Sequence, residues 1–333
     1  MIFPPCNGIL IPETKEKVPY LISIITPAYN ETKMIALTER TISGILEQAQ
    51  IPYELVFVDD GSRDDTWAQI CRAADRNPHV FGIHLSRNFG KEAAMFAGLE
   101  QAHGDCCVVL DCDLQHPPEK IVEMYRLWEQ GYEVVEGIKE DRGEENPVYG
   151  TAAAAFYHVM SKITGMNMAD ASDFKLLDRK VVNTLNQMPE RKVFFRALSY
   201  WVGFRKTEVS YRVQKRVAGE SKWSTASLIR YALTNIISFS TAPLQLVTLF
   251  GVFTLLMSVI LGSISLYQKF AGIALTGFTT VILIQLLTSS MIMISLGIIG
   301  LYISRIYEEC KGRPKYIISE TYGEHTDDPK TSG

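Results

Sequence analysis

Two uncharged stretches in the last third of the chain limit its possible folds more than any other feature. No Asp, Glu, Lys or Arg occurs from Tyr231 through Gln268 or from Phe270 through Ser304, and Lys269 alone separates them. Crossing the hydrocarbon core of a bilayer takes roughly 20 apolar residues of helix, and each stretch exceeds that. A soluble helical hairpin seldom runs this long without a charge, because its outer face must meet water. Two membrane-spanning helices are therefore expected, near Ala242–Tyr267 and Thr279–Ser304.

Charge placement then orients the chain. The formal net charge is only −4, yet Arg191–Arg230 holds ten Lys/Arg against Glu208 and Glu220. Such a block fits phosphate groups or an anionic membrane surface, and no nucleic-acid partner is expected. It precedes the first span, while Arg305, Lys311, Arg313 and Lys315 follow the second, and the connecting hairpin offers only Lys269. The positive-inside rule places the large N-terminal part and both termini on the cytoplasmic side of a cell membrane. The N-terminal residues show no basic-then-apolar signal pattern. The six cysteines lack zinc or disulfide spacing and read as reduced thiols, with Cys106, Cys107 and Cys112 packing as small hydrophobes.

Residues 20–137 alternate short apolar runs with amphipathic segments. Strands are expected at Leu21–Thr26, Glu54–Asp59, Val80–Leu85, Cys106–Asp111 and Glu133–Glu136, and helices near Lys33–Gln50, Asp65–Asp75, Lys91–Ala102 and Pro118–Gln130. That rhythm predicts an α/β fold with a mostly parallel sheet, in which ligands bind at the carboxyl ends of the strands. Polar clusters stand at those ends: Pro27-Ala28-Tyr29-Asn30-Glu31, Asp59-Asp60-Gly61-Ser62, Ser86-Arg87-Asn88-Phe89-Gly90-Lys91, and the pair Asp111 and Asp113. Singly each reads as turn and cap chemistry. Together they describe one cleft with carboxylates for a hard divalent cation, an aromatic to pack on a base, and cations for phosphate.

The wording of these clusters resembles the family 2 glycosyltransferases of GT-A fold: ITPAYNE at 25–31, VDDGSRDDT at 58–66 and D-x-D at 111–113. Further runs resemble the polyprenyl-phosphate branch of that family, which includes dolichol-phosphate mannose synthases and bacterial undecaprenyl-phosphate glucosyltransferases. These are LSRNFGKEAAMFAGL at 85–99, DLQHPPE at 113–119, ASDFKLLDR at 171–179 and VAGESKW at 217–223. The resemblance implies a nucleotide-sugar-binding domain over 20–222, an interfacial helix over 223–240 and a two-helix hairpin over 241–305. These are flanked by an N-terminal extension, 1–19, and a cytoplasmic tail, 306–333, whose residues from 321 read as disordered.

It also implies roles. Pro27, Tyr29, Glu31 and Asp60 fall where the family holds the base and ribose, with Arg87, Lys91 and Asp111 beside them as nucleotide contacts. Asp111, Asp113 and Gln115 fall where it holds Mg²⁺ or Mn²⁺ and the donor diphosphate, and Asp173 takes the place of the catalytic carboxylate, with Asp113 acting beside it. Lys139, Arg142, Arg212, Arg216 and Lys222 are candidate contacts to a lipid phosphate or diphosphate, Lys139–Asn146 being read as a mobile acceptor loop. The expected partners are a nucleotide-diphosphate sugar, a polyprenyl-phosphate acceptor and membrane lipid, and the resemblance implies homo-oligomers. His116, where the branch commonly has Asp, reads as an exposed histidine at a helix start or as a group behind the metal. A processive polysaccharide synthase and a noncatalytic scaffold that keeps the fold are the competing readings.

Overall fold

A computed structural model describes residues 20–139, 172–188, 190, 195–212, 242–272 and 277–324. Its centre is a sheet whose middle strands are buried on both faces: β1 (Ile22–Ala28), β2 (Tyr53–Asp59), β3 (Val80–Leu85) and β4 (Cys106–Val109). Strands covered on both sides read as continuous apolar runs, which is why the sequence announces them. Between them lie α1 (Ile35–Gln48), α2 (Thr66–Arg76) and α3 (Lys91–Gln101), followed by α4 (Lys120–Glu129). Next come β5 (Val134–Lys139), β6 (Lys175–Asp178), α5 (Arg179–Asn186), α6 (Phe195–Trp201) and β7 (Lys206–Tyr211). Two long helices, α7 (Ala242–Phe270) and α8 (Phe278–Cys310), precede a last strand, β8 (Ile318–Tyr322).

The strand order is β7-β5-β6-β4-β1-β2-β3-β8. β1 pairs in parallel with β2 and β4, β2 with β3, and β5 with β7, so the sheet is mostly parallel. β6 runs antiparallel to both β4 and β5, which leaves the carboxyl ends of β4, β5 and β7 on one edge. Successive residues point to opposite faces. Ile22, Ile24, Leu55 and Phe57 meet α1, α2 and α4, while Ile25, Val56 and Val58 meet α3, α5 and α6. Each such side chain, removed fully from water, contributes roughly 1.5–3 kcal/mol. Gly98 lets α3 lie close to the sheet, since a Cβ there would stand 2.3 Å from Ile25 Cγ2.

Three strands were not expected from the sequence. β6 falls within ASDFKLLDR, read for its resemblance and given no strand, β7 falls within the basic block Arg191–Arg230, and β8 falls in the stretch read as a tail. Ile318 pairs with Leu85 and Tyr322 with Gly82, antiparallel, so the chain returns to the sheet after α8. The anchors before the strand are specific: Ser86 N donates to Ile317 O at 2.9 Å, Lys315 Nζ donates to Met188 O at 2.8 Å, and the Tyr316 hydroxyl bonds Glu100. Boundaries also move: β4 stops at Val109, leaving Asp111 in a turn, and α4 begins at Lys120 after Pro117 and Pro118. Within α7 and α8, Val247–Gln268 and Ile284–Cys310 are long and apolar enough to cross a membrane, and neither is buried against the rest of the described residues.

Candidate active site

The carboxyl ends of β1 and β2 are laced together by their own side chains. Asn30, held at φ 56°, donates its backbone N–H to Ser62 Oγ at 2.8 Å and accepts from Arg63 N through Oδ1 at 2.9 Å. Glu31 N donates to Thr66 Oγ1 at 2.9 Å, and Asp59 Oδ1 accepts from Ser62 N at 3.1 Å. Pro27 lies buried beneath this lacing, whereas Tyr29 is 37% exposed and has a ring face to offer. Asp60 is buried and spends both oxygens on the loop after β3, Oδ1 accepting from Phe89 N at 2.7 Å and Oδ2 from Gly90 N at 2.9 Å. Burial pushes its carboxyl up, and the two N–H donors pull against that. Gly61 follows at φ 64°, where a Cβ would meet Arg87 C at 2.4 Å, so only glycine admits the close approach of the two loops. Arg87 is exposed there, its guanidinium 4.6 Å above the Phe89 ring.

After β4 the chain turns tightly through Asp111–Gln115. Leu114 sits at φ 54°, and Asp113 Oδ1 accepts from Gln115 N at 3.1 Å. Cys112 points into the core, where Thr38 Oγ1 donates to its carbonyl at 2.9 Å and burial raises its thiol to about 12. It packs as a small hydrophobe between two partly exposed carboxylates. Among the described residues no group of three or more His, Cys, Asp and Glu assembles a metal cage. The donor set nonetheless fits a hard cation: two carboxylates one residue apart, with a lysine ammonium already drawn to Asp111, Nζ lying 2.6 Å from Oδ1 and 2.8 Å from Oδ2. A divalent ion bound here would take its remaining ligands from donor phosphate oxygens and water.

His116 departs from its expected place. Rather than standing exposed, it is largely covered, stacking on Phe174 at 5.3 Å between centroids and meeting Tyr211 edge-on at 5.4 Å. Burial lowers its pKa, and its Nδ1 has no hydrogen-bond partner among the described residues.

Asp173 reaches this edge because antiparallel β6 begins there. Its carboxylate is clamped from two sides, accepting from Lys91 Nζ at 2.8 Å and from Arg196 Nε and an Arg196 terminal nitrogen at 2.7 and 3.0 Å. Burial alone would raise its pKa; Lys91 and Arg196 outweigh burial and hold the carboxyl far below the usual carboxylate range. Enclosure would likewise lower Lys91, but Asp111 and Asp173 hold it above the usual lysine range. Next to it, Glu92 accepts from Phe195 N at 2.9 Å, and burial plus the Asp173 charge push its carboxyl up to about 8.

A raised acid pKa means the folded state holds a proton that the unfolded state has released above about 4.3. Stability should therefore fall as pH rises from that point toward about 8. Glu92→Gln keeps an acceptor for Phe195 N and removes the proton. The expected result is a Tm that declines less from pH 5 to pH 8.5 in Glu92→Gln than in the parent, measured by thermal unfolding; parallel profiles would refute it.

Lys139 ends β5 and pairs in register with Tyr211, which puts Lys139 and the next residue of β7's exit, Arg212, both exposed, at the sheet edge that carries Asp111. Arg142, Arg216 and Lys222 lie outside the described residues, as do the interfacial segment 223–240 and the acceptor loop beyond Lys139.

Residues 23–185 match the family model described as glycosyl transferase family 2. The uncharacterized glycosyltransferase YkcC of Bacillus subtilis is 39% identical over 303 residues, covering 90% of this chain and 94% of its own. The chain belongs to glycosyl transferase family 2. The SfII prophage-derived bactoprenol glucosyl transferase of Shigella flexneri is similar at 35% identity, covering 90% of this chain and 98% of its own. Among solved structures, glucosyl-3-phosphoglycerate synthase of Mycobacterium tuberculosis with Mn²⁺, UDP and phosphoglyceric acid gives a TM-score of 0.48 at 18% identity, covering 66% of this chain and 76% of that one.

In this glycosyltransferase the residue that sequence reasoning missed is Arg196. It stands in FFRAL, a charge inside an apolar run, and such a charge usually has a buried partner. That signal was present, but nothing in the sequence names Asp173 as the partner. Glu92 was missed for a similar reason, since its carboxylate looks like ordinary first-turn chemistry at the start of α3.

Proposed function

We propose that this glycosyltransferase moves one sugar, with inversion, from a nucleotide-diphosphate sugar, UDP-linked by resemblance, to the phosphate of a polyprenyl carrier at the cytoplasmic membrane face. The observation that carries this reading is the return of the chain through β8. Only residues 311–317 separate the end of α8 from β8, a reach of at most about 29 Å even fully extended. β8 enters the sheet beside Leu85, the carboxyl end of β3, so the edge holding Asp60, Asp111 and Asp173 is the edge nearest the end of the second apolar helix. A site built there meets an acceptor whose phosphate lies at headgroup level. The bactoprenol glucosyl transferases matched along most of their length support a polyprenyl acceptor, and the basic residues around both helices support the cytoplasmic orientation.

In this reading Tyr29 packs on the base and the lacing of Asn30, Ser62 and Asp60 fixes the walls around it. Asp111 and Asp113, with Gln115, hold a divalent cation. When bound, that cation stabilises the charge growing on the departing diphosphate. Lys91 and Arg87 add positive charge on the same side. The acceptor needs little help to become a nucleophile, because a phosphate monoester has a second pKa of ~6 and is largely dianionic at neutral pH. Asp173, locked to Lys91 and Arg196 and strongly acidic, is poorly suited to take a proton; it orients Lys91 and the α6 start. Lys139 and Arg212 receive the acceptor phosphate at the mouth.

Titration of the full chain in lipid nanodiscs with UDP and GDP, with and without Mn²⁺, tests the donor half. UDP is expected to bind and to bind more tightly with the metal. Failure of both nucleotides to bind in the presence of Mn²⁺ would remove the reading.

A further inference from the structure

We propose that Lys91 is a built-in counter-ion for Asp111, exchanged for metal when a nucleotide diphosphate takes over its ammonium, so that divalent metal and donor bind as a mutually dependent pair. This rests on the reading of Asp111 and Asp113 as metal ligands. The ammonium has three N–H donors and lies close to three carboxylate oxygens: both of Asp111, at 2.6 and 2.8 Å, and Oδ2 of Asp173, at 2.8 Å. It thus engages Asp111 through both oxygens, as a bidentate cation would. A divalent ion on the same carboxylate must share it with a like charge a few ångströms away, and that repulsion weakens metal binding when nothing else compensates.

The surroundings permit exchange. Lys91 keeps 42% of its side-chain surface exposed and hangs on a flexible stem at the first position of α3, so the ammonium can turn from Asp111 toward the cleft. Asp173 does not lose its hold when this happens, because Arg196 grips both of its oxygens. A diphosphate offers the displaced ammonium a new anion and offers the metal further oxygen ligands. Each ligand thereby removes a cost that the other would meet alone, and the coupling is reciprocal by linkage. The site then collects metal weakly by itself and firmly with donor.

The test measures Mn²⁺ affinity of the full chain in nanodiscs, by the electron paramagnetic resonance of free Mn²⁺, with and without saturating UDP. The proteins are the parent, Lys91→Met and Lys91→Arg, with thermal unfolding run on each. In Lys91→Met, Mn²⁺ alone is expected to bind about fivefold or more tighter than in the parent, and the enhancement by UDP to shrink by a similar factor, within the usual range of such couplings. Lys91→Arg, which keeps the charge, is expected to retain weak metal-only binding and the larger UDP enhancement. Unchanged or weaker Mn²⁺ binding in Lys91→Met would overturn the proposal, as would tighter binding with the UDP enhancement intact. If the parent binds Mn²⁺ in neither condition, the metal reading itself falls and the proposal with it, a result distinct from either of those.

Discussion

Alanine at Asp113 is expected to lower turnover by about 1000-fold or more, as removal of a group that holds transition-state charge does, while asparagine at Asp173 retains measurable transfer. The contrast follows from what each carboxylate touches. Asp113 lies in the turn beside Asp111, one side of the carboxylate pair that suits a hard cation. Asp173 faces Lys91 and Arg196, and an asparagine there still offers Arg196 one acceptor while Lys91 keeps Asp111. Loss of the charge leaves Arg196 incompletely paired, so Asp173→Asn should cost about 2–4 kcal/mol of stability, less than a fully buried pair because Lys91 is partly exposed. The Asp173 pKa is depressed in the fold, so its contribution is present above the unfolded carboxylate pKa and is lost as pH falls below it. Asp173→Asn should therefore destabilise the protein at neutral pH and narrow its gap to the parent under acid. Turnover rates at saturating metal decide the roles: equal, complete loss in both variants would make Asp173 a catalytic group rather than an orienting one.

Ending the chain after Gly312 is expected to lower UDP affinity about tenfold and to make the purified protein aggregate. The truncation removes the β8 ladder, the Lys315 and Tyr316 anchors, and the bond from Ser86 N to Ile317 O. Net values of ~1 kcal/mol per hydrogen bond make the sum comparable to a large share of the stability of a domain. Ser86 opens the loop whose Phe89 and Gly90 N–H groups bind Asp60, so loosening it loosens one wall of the donor site. β3, mostly apolar, would become a bare sheet edge, a template for pairing between molecules. A contrasting variant, with about ten Gly/Ser residues inserted after Gly312, keeps β8 and should keep UDP affinity. Because it frees the site from its fixed distance to α8, transfer to a lipid acceptor should fall while donor binding does not. Calorimetry with UDP and a lipid-transfer assay separate the two; a truncated protein with parental UDP affinity would show β8 to be the dispensable tail the sequence resembles.

How much of this was readable beforehand follows from burial. β1 to β4 are covered on both faces and therefore announce themselves as apolar runs, and the turns at their carboxyl ends carry the residues that resemble the family. β6 is four residues long, β7 alternates exposed and buried positions, and β8 reads ISETY with no apolar run at all. Each is made a strand by its neighbour in the sheet rather than by its own composition. Asp173 was reachable only through resemblance, since its position depends on the reversal of β6, and its partnership with Arg196 depends on where α6 starts. His116 reads as an exposed histidine at a helix start because nothing local reveals that Phe174, just before β6, and Tyr211, at the end of β7, arrive to cover it.

The most direct measurement is transfer by the purified full chain, in a bilayer containing polyprenyl phosphate, from a panel of labelled nucleotide sugars. The account predicts a single labelled lipid carrying one sugar, formed only with divalent metal and lost in Asp113→Ala. No labelled lipid from any donor, or a growing polysaccharide in place of a single sugar, would contradict it.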